Sequence, residues 1–180
     1  MSVTQTALDN GVRVVSDRME SVESVSIGVW VNAGARNEDA SNNGVSHLLE
    51  HMAFKGTDRR SSLDIATEIE NVGGHLNAYT SRETTVYYAT VLKENVDLAL
   101  DIISDIVLNS TFDEQELDRE RGVVLQEIGQ AHDTPDDIIF DLFQETAYPD
   151  QPLGRPILGT ADIVARMPRA TLVDLSLIHI

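Results

Sequence analysis

The sequence predicts an α+β domain, a mainly antiparallel β-sheet packed against α-helices. Two observations predict it. Val- and Thr-rich runs fall in two blocks, residues 4–31 and 75–92, with turns inside each block short enough to join antiparallel neighbours. The other apolar residues recur at helical spacing, in stretches clustered between and after those blocks. With 180 residues, 42% of them hydrophobic, the chain is long enough to bury a sizeable core as one domain.

The elements follow in order. "TQTALDNGVRVVSDRM" alternates around Asp9-Asn10-Gly11, and Asn-Gly between two strand-like runs marks a hairpin because both residues tolerate positive φ. "SVESVSIGVWVNAG" adds a third strand through Val22, Val25, Ile27, Val29 and Val31, and "ARNEDASNNG" is a polar loop. Asn42 or Asn43 can cap the helix that begins near Gly44. "SSLDIATEIENVGG" is a second helix, capped by Ser61 or Ser62, apolar along Leu63, Ile65, Ala66 and Ile69, and stopped by Gly73-Gly74. "HLNAYTSRETTVYYATVL" gives two strands bent near Ser81-Arg82. "ENVDLALDIISDIVLNS" is a helix with Val96, Leu100, Ile103 and Val107 facing in, and Asp97, Asp101 and Asp105 as a solvated face. A longer helix runs through "TFDEQELDRERGVVLQEIGQAHD", capped by Thr111 or Asp113. Pro135 opens another, "PDQPLGRP" is a loop, and Thr160 or Asp162 starts a last helical segment. There is no internal repeat, low-complexity tract or linker.

Charge narrows the classes. Thirty acidic residues against 13 basic ones give −17, which excludes nucleic acid and anionic membranes as partners. Such a surface is first of all a soluble acidic one, and it would suit a basic ligand. The absence of cysteine rules out disulfides and thiolate metal sites. No apolar run approaches the ~18 residues of a membrane span. The opening "MSVTQTALDNGVRVV" lacks the basic-then-apolar pattern of a secretory signal. The expected location is the bacterial cytoplasm.

The chemistry concentrates in "GVSHLLEHMAFKGT", residues 44–57. On a helix His47 and His51 share a face, and two neutral imidazoles at that spacing suit zinc. Glu50 lies on nearly the same face and can reach a water near the metal without being a ligand. A catalytic zinc needs three protein ligands, an open position and a base, so H-x-x-E-H supplies two ligands and the base. The pentapeptide alone can also arise by chance with exposed histidines. Glu127, in "ERGVVLQEIGQ", is a third ligand candidate, because a carboxylate flanked by Val123, Val124 and Ile128 is costly to bury unless paired or bound to metal. Glu120 lies two turns earlier on the same face. It could orient a ligand histidine or be an ordinary surface charge.

"GVSHLLEHMAFKGT" together with "ERGVVLQEI" resembles the inverzincin zinc peptidases of the pitrilysin family, in particular its mitochondrial processing peptidases and their bacterial relatives. In that family the third ligand is a glutamate about 76 residues after the second histidine, and here 127 − 51 = 76. "LDNGVRVVSDRM" and "GGHLNAYTSRETTVYYATVL" are similar to further family segments, so the resemblance covers about residues 4–174. It implies a zinc-dependent endopeptidase that hydrolyses short or unfolded peptides, with zinc-activated water and one Zn²⁺ on His47, His51 and Glu127. It implies Glu50 as the general base and Glu120 as a supporting catalytic carboxylate. It places Asn77 and Ala78 on an edge strand beside the metal, where a substrate peptide adds as a strand. From the residues alone these two are only a strand and its turn. Phe54 is expected in the core, His75 near the cleft, and His132 and His179 at the surface.

The resemblance also implies a second homologous half or subunit as partner. After "ATLVD" an amphipathic helix should continue, and "LSLIHI" does not fit one. The expected domain is therefore residues 1–175, incomplete at its C-terminus, with 176–180 as a truncation scar and with no activity without the second half. The competing reading is a non-catalytic homologue used for assembly or substrate docking. Such subunits usually lose the motif, whereas both histidines and both key glutamates stand here. The substrate is expected to be basic, because residues 94–145 hold 15 acidic side chains and only two basic ones, Arg119 and Arg121.

Overall fold

The computed structural model describes residues 3–179. Strands β1 (Val3–Ala7) and β2 (Arg13–Asp17) form the hairpin that Asn10-Gly11 predicts, with Gly11 at φ 91°. Every residue of both strands is exposed, and the hairpin forms its own two-stranded sheet. The main sheet has three antiparallel strands in the order β3 (Ser24–Val31), β5 (Thr85–Leu92), β4 (His75–Thr80). The third predicted strand thus pairs with the second block and does not extend the hairpin. β5 is central and the most buried strand, while β4 offers a free edge.

Helices α1 (Val45–Ala53) and α2 (Ser62–Glu70) precede β4. Helices α3 (Val96–Leu108), α4 (Glu114–Asp133), α5 (Pro135–Ala147), α6 (Ala161–Val164) and α7 (Arg169–His179) follow β5. Two clusters form the core. In one, Ile65 and Ile69 of α2 and Ile102, Ile103 and Ile106 of α3 pack on Tyr87, Ala89 and Val91 of β5. In the other, Val45, Leu48, Leu49 and Met52 of α1 pack on Leu117, Val124 and Ile128 of α4, with Val164, Met167 and Leu172 behind. Ala53 at the end of α1 joins the first cluster, so α1 is wedged between both. That wedge fixes the helix that carries the histidine motif.

Several caps match their sequence signals. Ser61 and Asp64 form a capping box on α2, Asp113 accepts from the Gln115 and Glu116 N–H groups at the start of α4, and Pro135 opens α5. Three expectations need correction. Neither Asn42 nor Asn43 caps α1. Its cap position is Gly44 at φ 96°, where a side chain would be strained and would meet the Leu158 carbonyl. The capping oxygens come from Glu38, six residues upstream and 3% exposed, which accepts from the Gly44 N–H at 2.7 Å and the Ser46 N–H at 2.8 Å. Asn43 donates to the same carboxylate, so the polar loop folds back and supplies the cap through space.

The second and third corrections concern helix faces. Leu63 on α2 and Leu100 on α3 lie outside, at 69% and 46% exposure, because the buried residues of α2 are Ile65 and Ile69 and the buried stripe of α3 runs through Ala99, Ile102, Ile103 and Ile106. Asp105 sits on that stripe and is fully buried, so it is no part of a solvated face. It accepts from Thr57 Oγ1 at 2.8 Å, Arg59 Nε at 3.1 Å, Arg60 Nη1 at 2.9 Å and Asn109 Nδ2 at 3.0 Å. This cluster staples the segment after α1 to α3. At the end, the backbone of α7 is helical from Arg169 through His179. The side chain of His179, and with it the surface position expected for it, lies outside the described residues, as does Ile180. Among the described residues, no helix is long and apolar enough to cross a membrane.

Candidate metal centre and active site

α1 and α4 lie side by side and present the motif residues to each other. His47 and His51 are one turn apart with ring centroids 4.7 Å apart. Glu127 reaches across from α4, its Oε2 3.7 Å from His47 Nε2 and 3.5 Å from His51 Nε2. One ligand atom from each of the three residues lies within 4.8 Å of the others. Tetrahedral coordination at about 2.0–2.1 Å places ligand atoms roughly 3.4 Å apart. The two nitrogens and the carboxylate oxygen therefore fit zinc with little movement. Glu127 is 39% exposed at its side chain, so it is not part of the core. Val124 and Ile128 beside it are the buried residues, and Val123 is exposed.

Burial, with a smaller contribution from the charge of His51, pushes the His47 pKa down to about 4. The ring is therefore neutral at pH 7, the form that binds metal. Glu120 is buried, and its Oε2 lies 3.0 Å from His51 Nδ1. With Nδ1–H donating to that carboxylate, Nε2 is left with its lone pair toward Glu127. Of the two readings open for Glu120 in the sequence, the geometry therefore fits the histidine-orienting one. Its other oxygen accepts from Lys55 Nζ at 2.7 Å.

Glu50 projects from the same side of α1. Burial raises its pKa above the usual carboxylate range, opposed by hydrogen bonding from Thr80 and by the charge of His51. Its Oε2 is buried and has no hydrogen-bond partner, which is costly unless something else occupies the space it faces. Thr80, at the end of β4, was not singled out in the sequence. A lone threonine on a strand gives no signal of what it touches.

Asn77 and Ala78 lie on β4, whose outer edge is unpaired among the described residues, and β4 packs against α1. The Ala78 N–H is held by the Asn77 side-chain oxygen at 2.8 Å. Phe54 is half-buried with its ring centroid 6.3 Å from that of Tyr87, as expected of a core residue. His75 is exposed at the start of β4, beside a cavity of about 170 Å³ between α2 and β4, and His132 is exposed on α4.

Comparison with known proteins gives the family. Residues 13–161 match the Insulinase family (Peptidase family M16). The chain belongs to this family. Among M16 relatives, the mitochondrial-processing peptidase subunit beta of Rattus norvegicus is 47% identical over 174 residues, 97% of this chain and 35% of its own length. A zinc protease of Bacillus subtilis is 49% identical over 156 residues, 87% of this chain and 38% of its own. The chain thus spans about a third of the length of these relatives. Of solved structures, a protease from Helicobacter pylori superposes with a TM-score of 0.93 at 26% identity, covering 99% of this chain and 43% of that one. An M16 inactive domain from Pseudomonas fluorescens shares the fold, with a TM-score of 0.89 at 18% identity.

Proposed function

We infer that this chain is the metal-binding part of a zinc-dependent endopeptidase acting on short or unfolded peptides. One observation carries the reading: two imidazole nitrogens and the Glu127 oxygen converge from α1 and α4, next to the unpartnered carboxylate oxygen of Glu50. The names of the relatives, zinc protease and processing peptidase, support it. Bound there, zinc supplies Lewis-acid polarisation of the scissile carbonyl and lowers the pKa of water.

The chain's own residues do the rest. His47, His51 and Glu127 hold the metal. Glu50 takes the proton of the attacking water and returns it to the leaving amine, and its raised pKa brings it nearer the working pH of a base. Glu120 keeps the His51 ring in the tautomer that presents Nε2. Asn77 and Ala78 on the free edge of β4 accept an extended peptide through main-chain hydrogen bonds, which restricts substrates to unfolded segments. A second homologous half or subunit would complete the cleft.

Metal analysis of the dialysed chain is expected to give about one zinc per chain, falling sharply in Glu127→Gln. Unchanged zinc in that variant would remove Glu127 from the ligand set.

The acidic surface of α3, α4 and α5 favours basic peptides within this substrate class. Digestion of a peptide library by the chain together with its second half should favour Arg-containing peptides at low salt. That preference should fade as salt rises. Equal cleavage of acidic and basic peptides at low salt would refute it.

A further inference from the structure

We propose that Lys55 is a positioning residue of the metal centre, locking Glu120 so that this carboxylate holds the His51 ring in its metal-binding orientation. The inference rests on the zinc reading above. Lys55 follows His51 by four residues and continues the last turn of α1, its N–H donating to the Met52 carbonyl at 3.1 Å. It therefore lies just past the C-terminus of the helix that carries His47 and His51. Its ammonium lies 2.7 Å from Glu120 Oε1, while His51 Nδ1 lies 3.0 Å from Glu120 Oε2. The two oxygens of one buried carboxylate are thus taken by His51 of α1 and by Lys55 just past the end of that helix.

That division has a mechanical consequence. A carboxylate held at one oxygen can swing about its last bond and carry a ligand histidine with it. Held at both, it cannot turn without breaking a charge-assisted contact in a site where Glu120 is only 7% exposed. The backbone just after Lys55 is also fixed. The Thr111 N–H donates to the Gly56 carbonyl at 3.1 Å, the Thr57 N–H to the Arg60 carbonyl at 2.8 Å, and Thr57 Oγ1 to buried Asp105 at 2.8 Å. The lysine is therefore anchored at its root as well as at its tip. An ordinary surface ion pair would have neither a buried acceptor nor a fixed base.

The experiment compares the parent chain with Lys55→Met and Lys55→Arg. Folding is checked by circular dichroism, zinc affinity is measured by competition with a chromophoric chelator, and the visible spectrum is recorded with cobalt(II) in place of zinc. Removing an outer partner of a metal ligand typically costs 10–100-fold in affinity. Lys55→Met is expected to bind zinc about tenfold more weakly with altered cobalt bands, and Lys55→Arg to restore both. Folded Lys55→Met with the parent's affinity and spectrum would overturn the proposal, and so would failure of the arginine to rescue. Should Lys55→Met not fold, Lys55→Gln carries the same comparison. A parent chain that binds no zinc at all would instead sink the metal reading itself.

Discussion

Glu50→Gln is expected to keep its zinc and lose peptide hydrolysis by about 10²–10⁴-fold, the usual contribution of a positioned base. The readouts are zinc content and turnover of an unstructured peptide, measured on the chain together with its second half. The amide keeps the shape of the side chain and cannot take a proton. Its environment argues for the size of the effect. The pKa of the carboxyl is raised by burial, and one of its oxygens is buried without a hydrogen-bond partner among the described residues. The two ligand histidines and Glu127 are untouched by the change. Joint loss of zinc and activity would place Glu50 in the ligand set instead.

Asp105→Ala is expected to be the most damaging substitution away from the site, at about 3 kcal/mol, because several donors around a buried carboxylate lose their acceptor, although Arg60 keeps Asp101 and Glu68 as counter-charges. Arg60 is 10% exposed and holds Asp105 at 2.9 Å, and Thr57, Arg59 and Asn109 lose their acceptor as well. At roughly 2–4 °C per kcal/mol for a chain of this size, thermal unfolding should fall by about 10 °C. A fall of only a degree or two would mean the cluster is structurally idle. The same residue sets an acid limit. Burial would raise its pKa, but hydrogen bonds from Thr57, Arg60, Asn109 and Arg59 outweigh it and hold the carboxyl down to about 2. A depressed pKa stabilises the fold above the unfolded value of about 3.9, and that contribution disappears as pH falls from about 4 toward 2. In Asp105→Asn the unfolding free energy should therefore depend less steeply on pH in that window.

Much of the candidate site was legible because its residues obey helical periodicity. His47, Glu50 and His51 share one turn, and Glu120 and Glu127 are two turns apart on one face, so the sequence places each set before any contact is known. The family resemblance then joined the two sets through the interval between His51 and Glu127. The strands and most helices were legible from alternation, Gly stops and Ser, Asp or Pro starts. What escaped was polar contact between distant segments. Glu38 caps α1 from a loop that read only as polar, and Asp105 looked like one aspartate of an exposed row although its side chain enters the core. Leu100 was assigned inward with Val96, Ile103 and Val107, and it alone of the four lies outside, with Ala99 buried beside it. Lys55 did carry a signal, its four-residue spacing from His51, but a lysine after a helix reads as solvated until a buried acceptor is seen.

The metal centre is closed by α1 and α4, and the chain between them makes the second helix, two strands of the sheet and the third helix. Its pairings are therefore long-range contacts, the kind that form late because loop closure must come first. During synthesis the histidine pair is exposed well before its glutamate partner exists. The three ligands can meet only once the intervening sheet and helices have docked. Since an ion that binds only the finished arrangement stabilises it in proportion to ln(1 + [L]/Kd), zinc held as proposed above would act as a latch on that arrangement. Occupancy of the site then reports that the whole central part of the chain has assembled, and a chelator added during refolding should slow or reverse that assembly.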